Sequence, residues 1–329
     1  MQTANVLLWP GDDEKSCCSP GAVQRARASA DDLGVPFHTV DEQRDFARTV
    51  VDGFVAGYLA GETPNPCVEC NPLRLARLVA LADELSVASV ATGHYARIVW
   101  RDGEPFIGRA HDRAKDQSYM LWKVAPQTLA RLQFPLAELT KPEVRERAAR
   151  AQLPVAHQPE SQEVCFAPRG YRRLLALHGV TSAPGALVTA SGDVVGDHDG
   201  HWMFTIGQRR GLGLAGRSPW YVVERRPDTN EVVVGTRDEL ARSVVLVREV
   251  VDRGLDGGGG LEVQLRYKTE AIVVSRLERL GGDRLRLTLA RPFDGPAPGQ
   301  SAVFYRDDIV VGGGVVAGSA GVPEAAASV

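Results

Sequence analysis

Three cysteines stand where thiol chemistry is possible. In "TPNPCVECNP" (63–72), Cys67 and Cys70 are two residues apart, with proline on both sides and Asn71 directly behind. In "ESQEVCF", Cys165 follows four polar residues, Glu160 to Glu163. A C-x-x-C pair has three readings: half of a zinc site, a redox pair, or a nucleophile at a helix start. Asn71 and Pro72 read as an N-cap and a first-turn proline. This predicts a helix opening there, with the cysteines just before it. Free N–H groups and the helix dipole would then favour a thiolate at Cys70. A four-thiolate zinc site would need Cys17 and Cys18, which are adjacent, and the sequence has no second C-x-x-C. Taken alone, Cys165 would read as a buried apolar cysteine. Its polar neighbours and its place after a predicted strand point instead to the end of an α/β sheet, where ligands bind.

These residues need a scaffold, and 329 residues are enough for two or three domains. The apolar fraction of 44% and charged fraction of 24% are those of a soluble globular protein. An odd count of five cysteines in so long a chain favours thiol chemistry in a reducing cytoplasm over a disulfide framework. The N-terminus lacks the pattern of a signal peptide, and no apolar run is long enough to span a bilayer. The net charge of −3 argues against indiscriminate nucleic-acid binding but allows a local basic face.

Strands are predicted at 4–9, 35–40, 87–93 and 153–157. Helices are predicted from Ser19-Pro20 to about Leu33, over 42–60 (Phe46, Val50, Phe54 and Tyr58 at four-residue spacing), from Asn71 to about Leu85, and after the Thr140/Glu143 capping box. This alternation is the pattern of a parallel α/β sheet. Residues 96–110 read as a hairpin turning at Asp102-Gly103. After about 167 the text becomes short strands with glycine-rich turns, including "HWMFTIGQRRGLGLAG", "WYVVERR" and "EVVVG". From about 240 it alternates like a small antiparallel barrel. "GLDGGGG" (254–260) reads as a flexible turn and "VPEAAASV" as a disordered tail.

In order, "ETPNPCVECN", "ATGHYAR", "KDQSYML", "FPLAELTKPEVR", "ESQEVCF", "TIGQRRGLG", "WYVV" and "PGQSAVFY" resemble the motifs of the bacterial tRNA-specific 2-thiouridylases, over about residues 6–316. The resemblance implies a nucleotide-binding α/β domain of the adenine nucleotide alpha hydrolase type over 1–166. A small β-rich central domain (167–238), a C-terminal antiparallel β-barrel (239–320) and a tail (321–329) would follow. It implies a cytoplasmic, monomeric sulfurtransferase that adenylates the C2 oxygen of a tRNA wobble uridine with ATP and magnesium. A persulfide, charged by a sulfur-donor protein, then supplies sulfur. By motif, Cys70 is the nucleophile and Cys165 the persulfide carrier, and in one state the two lie within disulfide reach, with Cα atoms about 4.4–6.8 Å apart. Gly93 and Val6 match nucleotide-contacting positions. Asn65, Pro66 and Cys67 match the segment lining the target base. His94, Lys115, Asp116, Gln117, Arg266, Tyr267 and Gln300 match contacts to tRNA. No metal ligand is implied.

The family opens with a strand and an "SGG-x-DSS" loop that cradles the pyrophosphate. This sequence contains no such motif, and "ANVLLWPGDDEKSCCS" matches the strand and loop that follow it. The expectation is an N-terminally truncated reading of a longer gene. The alternative is a tRNA-binding remnant without ATP-dependent catalysis.

Overall fold

The computed structural model describes residues 1–9, 19–153, 164–216, 218–255 and 259–317. Cys17 and Cys18, most of the predicted strand at 153–157, the middle of the "GLDGGGG" turn and the tail lie outside the described residues. The chain divides into two compact units. The first holds Met1–Val55, Pro66–Val180 and Asp308–Val310; the second holds Ala56–Asn65, Thr181–Asp307 and the chain from Val311 onward.

The first unit begins with β1 (Thr3–Leu7), α1 (Pro20–Asp32) and β2 (Phe37–Asp41). Ser19 caps α1, its Oγ accepting from the Ala22 N–H at 3.1 Å. Gly34 ends the helix region at φ +64°. β1 and β2 pair in parallel, from Thr3 opposite Phe37 to Leu7 opposite Asp41. The predicted helix over 42–60 is continuous but not uniform. α2 (Gln43–Phe46) runs into a π-helical turn (Ala47–Val51) and then α3 (Asp52–Leu59). The wider turn adds Val51 to the buried stripe of Phe46, Val50 and Phe54.

Next come α4 (Pro66–Glu84), β3 (Val90–Ala91), and the hairpin of β4 (Ala96–Arg101) and β5 (Glu104–Arg109). Asp102 and Gly103 turn the hairpin at φ 51° and 82°, the left-handed pair that a two-residue turn needs. α5 (Pro126–Leu129) leads to β6 (Leu132–Gln133), which pairs in parallel with β3. α6 (Lys141–Arg150) starts at the predicted capping box, where the Thr140 N–H and Oγ1 both donate to Glu143 Oε2 at 2.7 Å. α7 (Tyr171–Leu177) follows and also lies in this unit. Among the described residues the sheet consists of two parallel pairs, β1–β2 and β3–β6.

The second unit contains β7 (Gly185–Val188), β8 (Val194–His198), β9 (Tyr221–Arg226) and β10 (Glu231–Gly235) in a four-stranded sheet of order β8-β7-β10-β9. The stretch beginning "HWMFTIG" is not a strand: His201–Met203 form a single 3-10 turn, with Trp202 buried beneath it. α8 (Arg237–Leu240) then feeds the barrel. Its strands are β11 (Ala241–Asp252), β12 (Glu262–Gln264), β13 (Ile272–Arg279), β14 (Leu285–Asp294), β15 (Ser301–Arg306) and β16 (Ile309–Val316). The order β11-β14-β13-β12-β15-β16 closes where β11 pairs with β16, Val247 opposite Val316. Closure leaves no open strand edge. Val263, Leu287, Ala302 and Phe304 fill the interior.

Candidate functional site

The cysteines sit inside a helix rather than before one. α4 opens at Pro66, so Cys67 lies in its first turn, Cys70 in its second, and Pro72 within the helix. Asn65-Pro66 is the same kind of start signal as Asn71-Pro72, and the earlier pair wins. Pro72, the seventh residue of α4, lacks the N–H that would reach the Val68 carbonyl, and its ring crowds that carbonyl, a cost the rest of this long helix must offset. The dipole argument for Cys70 therefore does not hold, because that effect fades beyond the first turn. Cys67 is exposed, Cys70 and Cys165 are half-buried, and no disulfide joins these three described cysteines to one another.

Asn71 is not a cap either. It is buried, its Nδ2 donates to the Met120 carbonyl at 3.0 Å, and its Oδ1 accepts from Arg74 Nη2 at 3.0 Å. The same Nη2 lies 3.1 Å from His94 Nε2. Nε2 also lies 3.3 Å from Asn71 Oδ1, and Nδ1 lies 2.8 Å from Thr92 Oγ1, so both ring nitrogens are engaged. Burial, reinforced by the Arg74 charge, lowers the His94 pKa to about 3. The ring is thus neutral at physiological pH.

Thr92, Gly93 and His94 follow the C-terminal end of β3, the position where open α/β sheets bind ligands. They line a cavity of about 880 Å³ together with Val6, Arg74 and Gln117. The structure thus brings together four residues expected from sequence, Val6, Gly93, His94 and Gln117. It adds Arg74 and Thr92, which sequence reasoning missed. The available signal was spacing: Arg74 is four residues after Cys70, on the same helix face. At Gly93 an added Cβ would meet only Leu136 Cδ1, at an ordinary 3.7 Å. The protein's own packing does not demand glycine there.

Of the "KDQ" triplet, Asp116 turns inward. Its carboxylate accepts from the Ala110 N–H at 2.9 Å and Ser118 Oγ at 2.7 Å, and it pairs with Arg109 at 3.3 Å. Gln117 Oε1 accepts from the Tyr95 N–H at 3.0 Å, and Lys115 is half-buried. Next to Cys165, Phe166 is buried edge-on against Trp9, Phe46 and Phe54, with ring centroids 6.2, 5.6 and 5.4 Å away.

Within the second unit, residues 61–65 are held from several sides. The Thr63 N–H donates to the Pro298 carbonyl at 2.7 Å, and Gln300 Nε2 donates to the Thr63 carbonyl at 2.5 Å. Arg225 Nη2 reaches the Gly61 carbonyl at 2.7 Å and Thr63 Oγ1 at 3.0 Å. Arg248 pairs with Glu62 at 2.6 Å. Gly299, at φ +84°, is pressed so close that a Cβ would lie 2.8 Å from Glu62 Cβ. Asn65 is half-buried at the end of this segment. Arg266 Nη2 donates to the Gly295 carbonyl at 2.8 Å, its guanidinium lies over the Phe293 ring, and Tyr267 beside it is half-buried.

Among the described residues no three His, Cys, Asp or Glu side chains converge as a metal cage, and no helix is long and apolar enough to cross a membrane. Among the described residues, the cavity lining contains no carboxylate.

Family models match the whole architecture. A tRNA methyl transferase HUP domain matches residues 5–169, a tRNA methyl transferase PRC-barrel domain 174–236, and an aminomethyltransferase β-barrel domain 245–316. The chain is 41% identical to the "tRNA-specific 2-thiouridylase MnmA" of Carboxydothermus hydrogenoformans, over 93% of this chain and 86% of that one. The chain belongs to the tRNA-specific 2-thiouridylase family. It is 40% identical to the protein of the same name from Moorella thermoacetica, over 94% of this chain and 90% of that one. It is also 45% identical to the "Bifunctional protein NifU/MnmA" of Rubrobacter xylanophilus, over 92% of this chain and 62% of the fusion.

Proposed function

We propose that this protein is an ATP-dependent sulfurtransferase acting on C2 of the wobble uridine of tRNA. The observation that carries the reading is helix α4, which holds the Cys70 thiol and, four residues on, Arg74 in the lining of a cavity bounded by β1 and β3 in the same unit. Thiols in that setting suit sulfur transfer, which is also the reaction in the relatives' names.

In this reading the uridine C2 oxygen attacks the α-phosphorus of ATP and pyrophosphate leaves. The terminal sulfur of a Cys165 persulfide attacks C2, and AMP leaves with the oxygen. The Cys70 thiolate then attacks the Cys165 sulfur. That releases the thiocarbonyl of 2-thiouridine and leaves a Cys70–Cys165 disulfide, which a thiol reductant reopens before a donor protein reloads Cys165. The adenosine sits by Gly93 and Val6, and any magnesium arrives with the nucleotide's phosphates. Asn65, Pro66 and Cys67 face the flipped base. Lys115, Gln117, Arg266 and Tyr267 each make a tRNA contact, buried His94 serves the nucleotide cavity instead, and the reaction runs in the cytoplasm.

The test is to incubate two proteins, residues 1–329 alone and the same chain preceded by a strand and an "SGG-x-DSS" loop, with ATP, unmodified tRNA and a persulfide donor, measuring pyrophosphate release and 2-thiouridine. Both products are expected from the second; residues 1–329 alone, which lack the pyrophosphate cradle, are expected to bind tRNA with neither product detectable. tRNA binding without pyrophosphate release by both proteins would replace this reading by that of a tRNA-binding protein without activation chemistry.

A further inference from the structure

The structure assigns to Arg74 the recognition of a nucleotide phosphate: we propose that its guanidinium pairs with the α-phosphate of the adenine nucleotide in the β3 cavity. This rests on the reading that the cavity takes that nucleotide, and names the residue that reads its charge.

Arg74 lines the cavity with Thr92, Gly93 and His94. Only its Nη2 is committed, to Asn71 Oδ1 and His94 Nε2. Among the described residues Nε and Nη1 have no hydrogen-bond partner, and no carboxylate pairs with the guanidinium. Other part-buried arginines of this unit do have one: Arg77 has Glu42 and Arg109 has Asp116.

Both Arg74 partners are neutral. Asn71 cannot ionise, and His94 is kept uncharged by burial and by Arg74 itself. The pair therefore fixes the side chain without cancelling its charge. Behind them, Met120 O anchors Asn71 and Thr92 Oγ1 anchors His94, so the arginine is braced from two elements. A long side chain loses rotamer freedom when held this way, and neutral hydrogen bonds return little. A full positive charge with donors left over, in a walled cavity, is the arrangement that recognises phosphate.

The site is poised for the proposed chemistry. Arg74 is four residues from Cys70 on one helix face, and an α-phosphate between them would belong to the leaving AMP. Gly93 leaves room for the nucleoside half, since nothing in the protein itself needs glycine there.

The experiment compares adenosine, AMP and unmodified tRNA by calorimetry on the full chain, for wild type, Arg74→Met and Arg74→Lys. Wild type is expected to bind AMP about 10- to 100-fold more tightly than adenosine, the worth of a charge-assisted pair. Arg74→Met should bring AMP down to the adenosine level while adenosine affinity stays constant, which also shows that the cavity is intact. Arg74→Lys should recover part of the preference. Equal AMP and adenosine affinities in the wild type would overturn the Arg74 assignment alone. Loss of tRNA affinity in Arg74→Met with the AMP preference unchanged would also overturn it, placing the arginine on a tRNA phosphate. Absence of adenosine binding to the wild type would instead remove the underlying reading of the cavity.

Discussion

Gln300 donates from Nε2 to the main-chain oxygen of Thr63 at 2.5 Å. Thr63 is followed directly by the "PNPC" run that opens α4. From its motif Gln300 is expected to touch tRNA; in the structure its amide is spent on this segment. Gln300→Ala should therefore loosen residues 62–65 without tRNA present. One hydrogen bond is worth about 1 kcal/mol, or roughly fivefold in amide exchange. Gln300→Glu should do more, because a carboxylate would face a carbonyl. Exchange at 62–65 that responds only when tRNA is added would return Gln300 to the role of a tRNA contact.

Histidine burial sets a pH dependence with a definite sign. An unfolded histidine takes its proton near 6.5, whereas folded His94 resists until about 3. Between those values the unfolded chain binds more protons, so stability falls as pH drops through 6.5. Burial also lowers His198 and His201, which act in the same direction. The lowered carboxylates, Glu143, Glu239, Asp252 and Asp308, lose their contributions only near and below their ordinary range of about 4. A melting temperature clearly lower at pH 5 than at pH 7.5 is expected, with a smaller difference in His94→Gln. A flat profile over this window would contradict the buried neutral histidine.

What the sequence made legible was what local chemistry decides. The Thr140/Glu143 box, the Ser19-Pro20 start and the Asp102-Gly103 turn each need only neighbours along the chain, and each stands where expected. The start of α4 was misplaced because two Asn-Pro pairs six residues apart give the same signal, and only tertiary packing of Asn71 against Met120 chooses between them. "HWM" read as strand from its apolar residues, but Trp202 is buried from a single turn. Arg74 could not be singled out, since an arginine on a helix is ordinarily a solvated charge. Its significance lies in the neutrality of His94 and Asn71, which depends on burial. Motif order singled out Val6 and Gly93 for the nucleotide and His94 for tRNA, whereas all three line one cavity, and the inward turn of Asp116 follows from contacts that no spacing reveals.

Phe166 is expected to hold the cysteine beside it in place. Its ring is buried edge-on to Trp9, Phe46 and Phe54. Phe166→Ala removes that burial and leaves a cavity, at a cost of about 3–5 kcal/mol, while Phe166→Leu costs less. The milder variant should stay folded, melt several degrees lower and alkylate faster at Cys165 than wild type. An unchanged alkylation rate with a lowered melting temperature would mean that the aromatic cluster stabilises the unit without fixing the thiol.

The three described thiols should separate by role. Cys67→Ser is expected to retain thiolation, since that residue is exposed and the sulfur balance does not use it. Cys165→Ser leaves nothing to carry the persulfide, so 2-thiouridine should vanish. Cys70→Ser should also abolish net product, but by another route: activation and sulfur attack can occur, and release then lacks its thiolate. The two variants therefore differ in what they accumulate. In the protein preceded by a strand and "SGG-x-DSS" loop, with ATP, tRNA and a persulfide donor, Cys70→Ser should trap a protein–tRNA adduct that a strong thiol reductant cleaves to 2-thiouridine, and Cys165→Ser should trap none. Neither change removes a phosphate contact, so tRNA affinity should stay within about twofold of wild type and keep its salt dependence. Mass spectrometry of the trapped species decides the order of steps. An adduct on Cys70 in the Cys165→Ser protein would exchange the two assignments, and full thiolation by either variant would remove its cysteine from the chemistry.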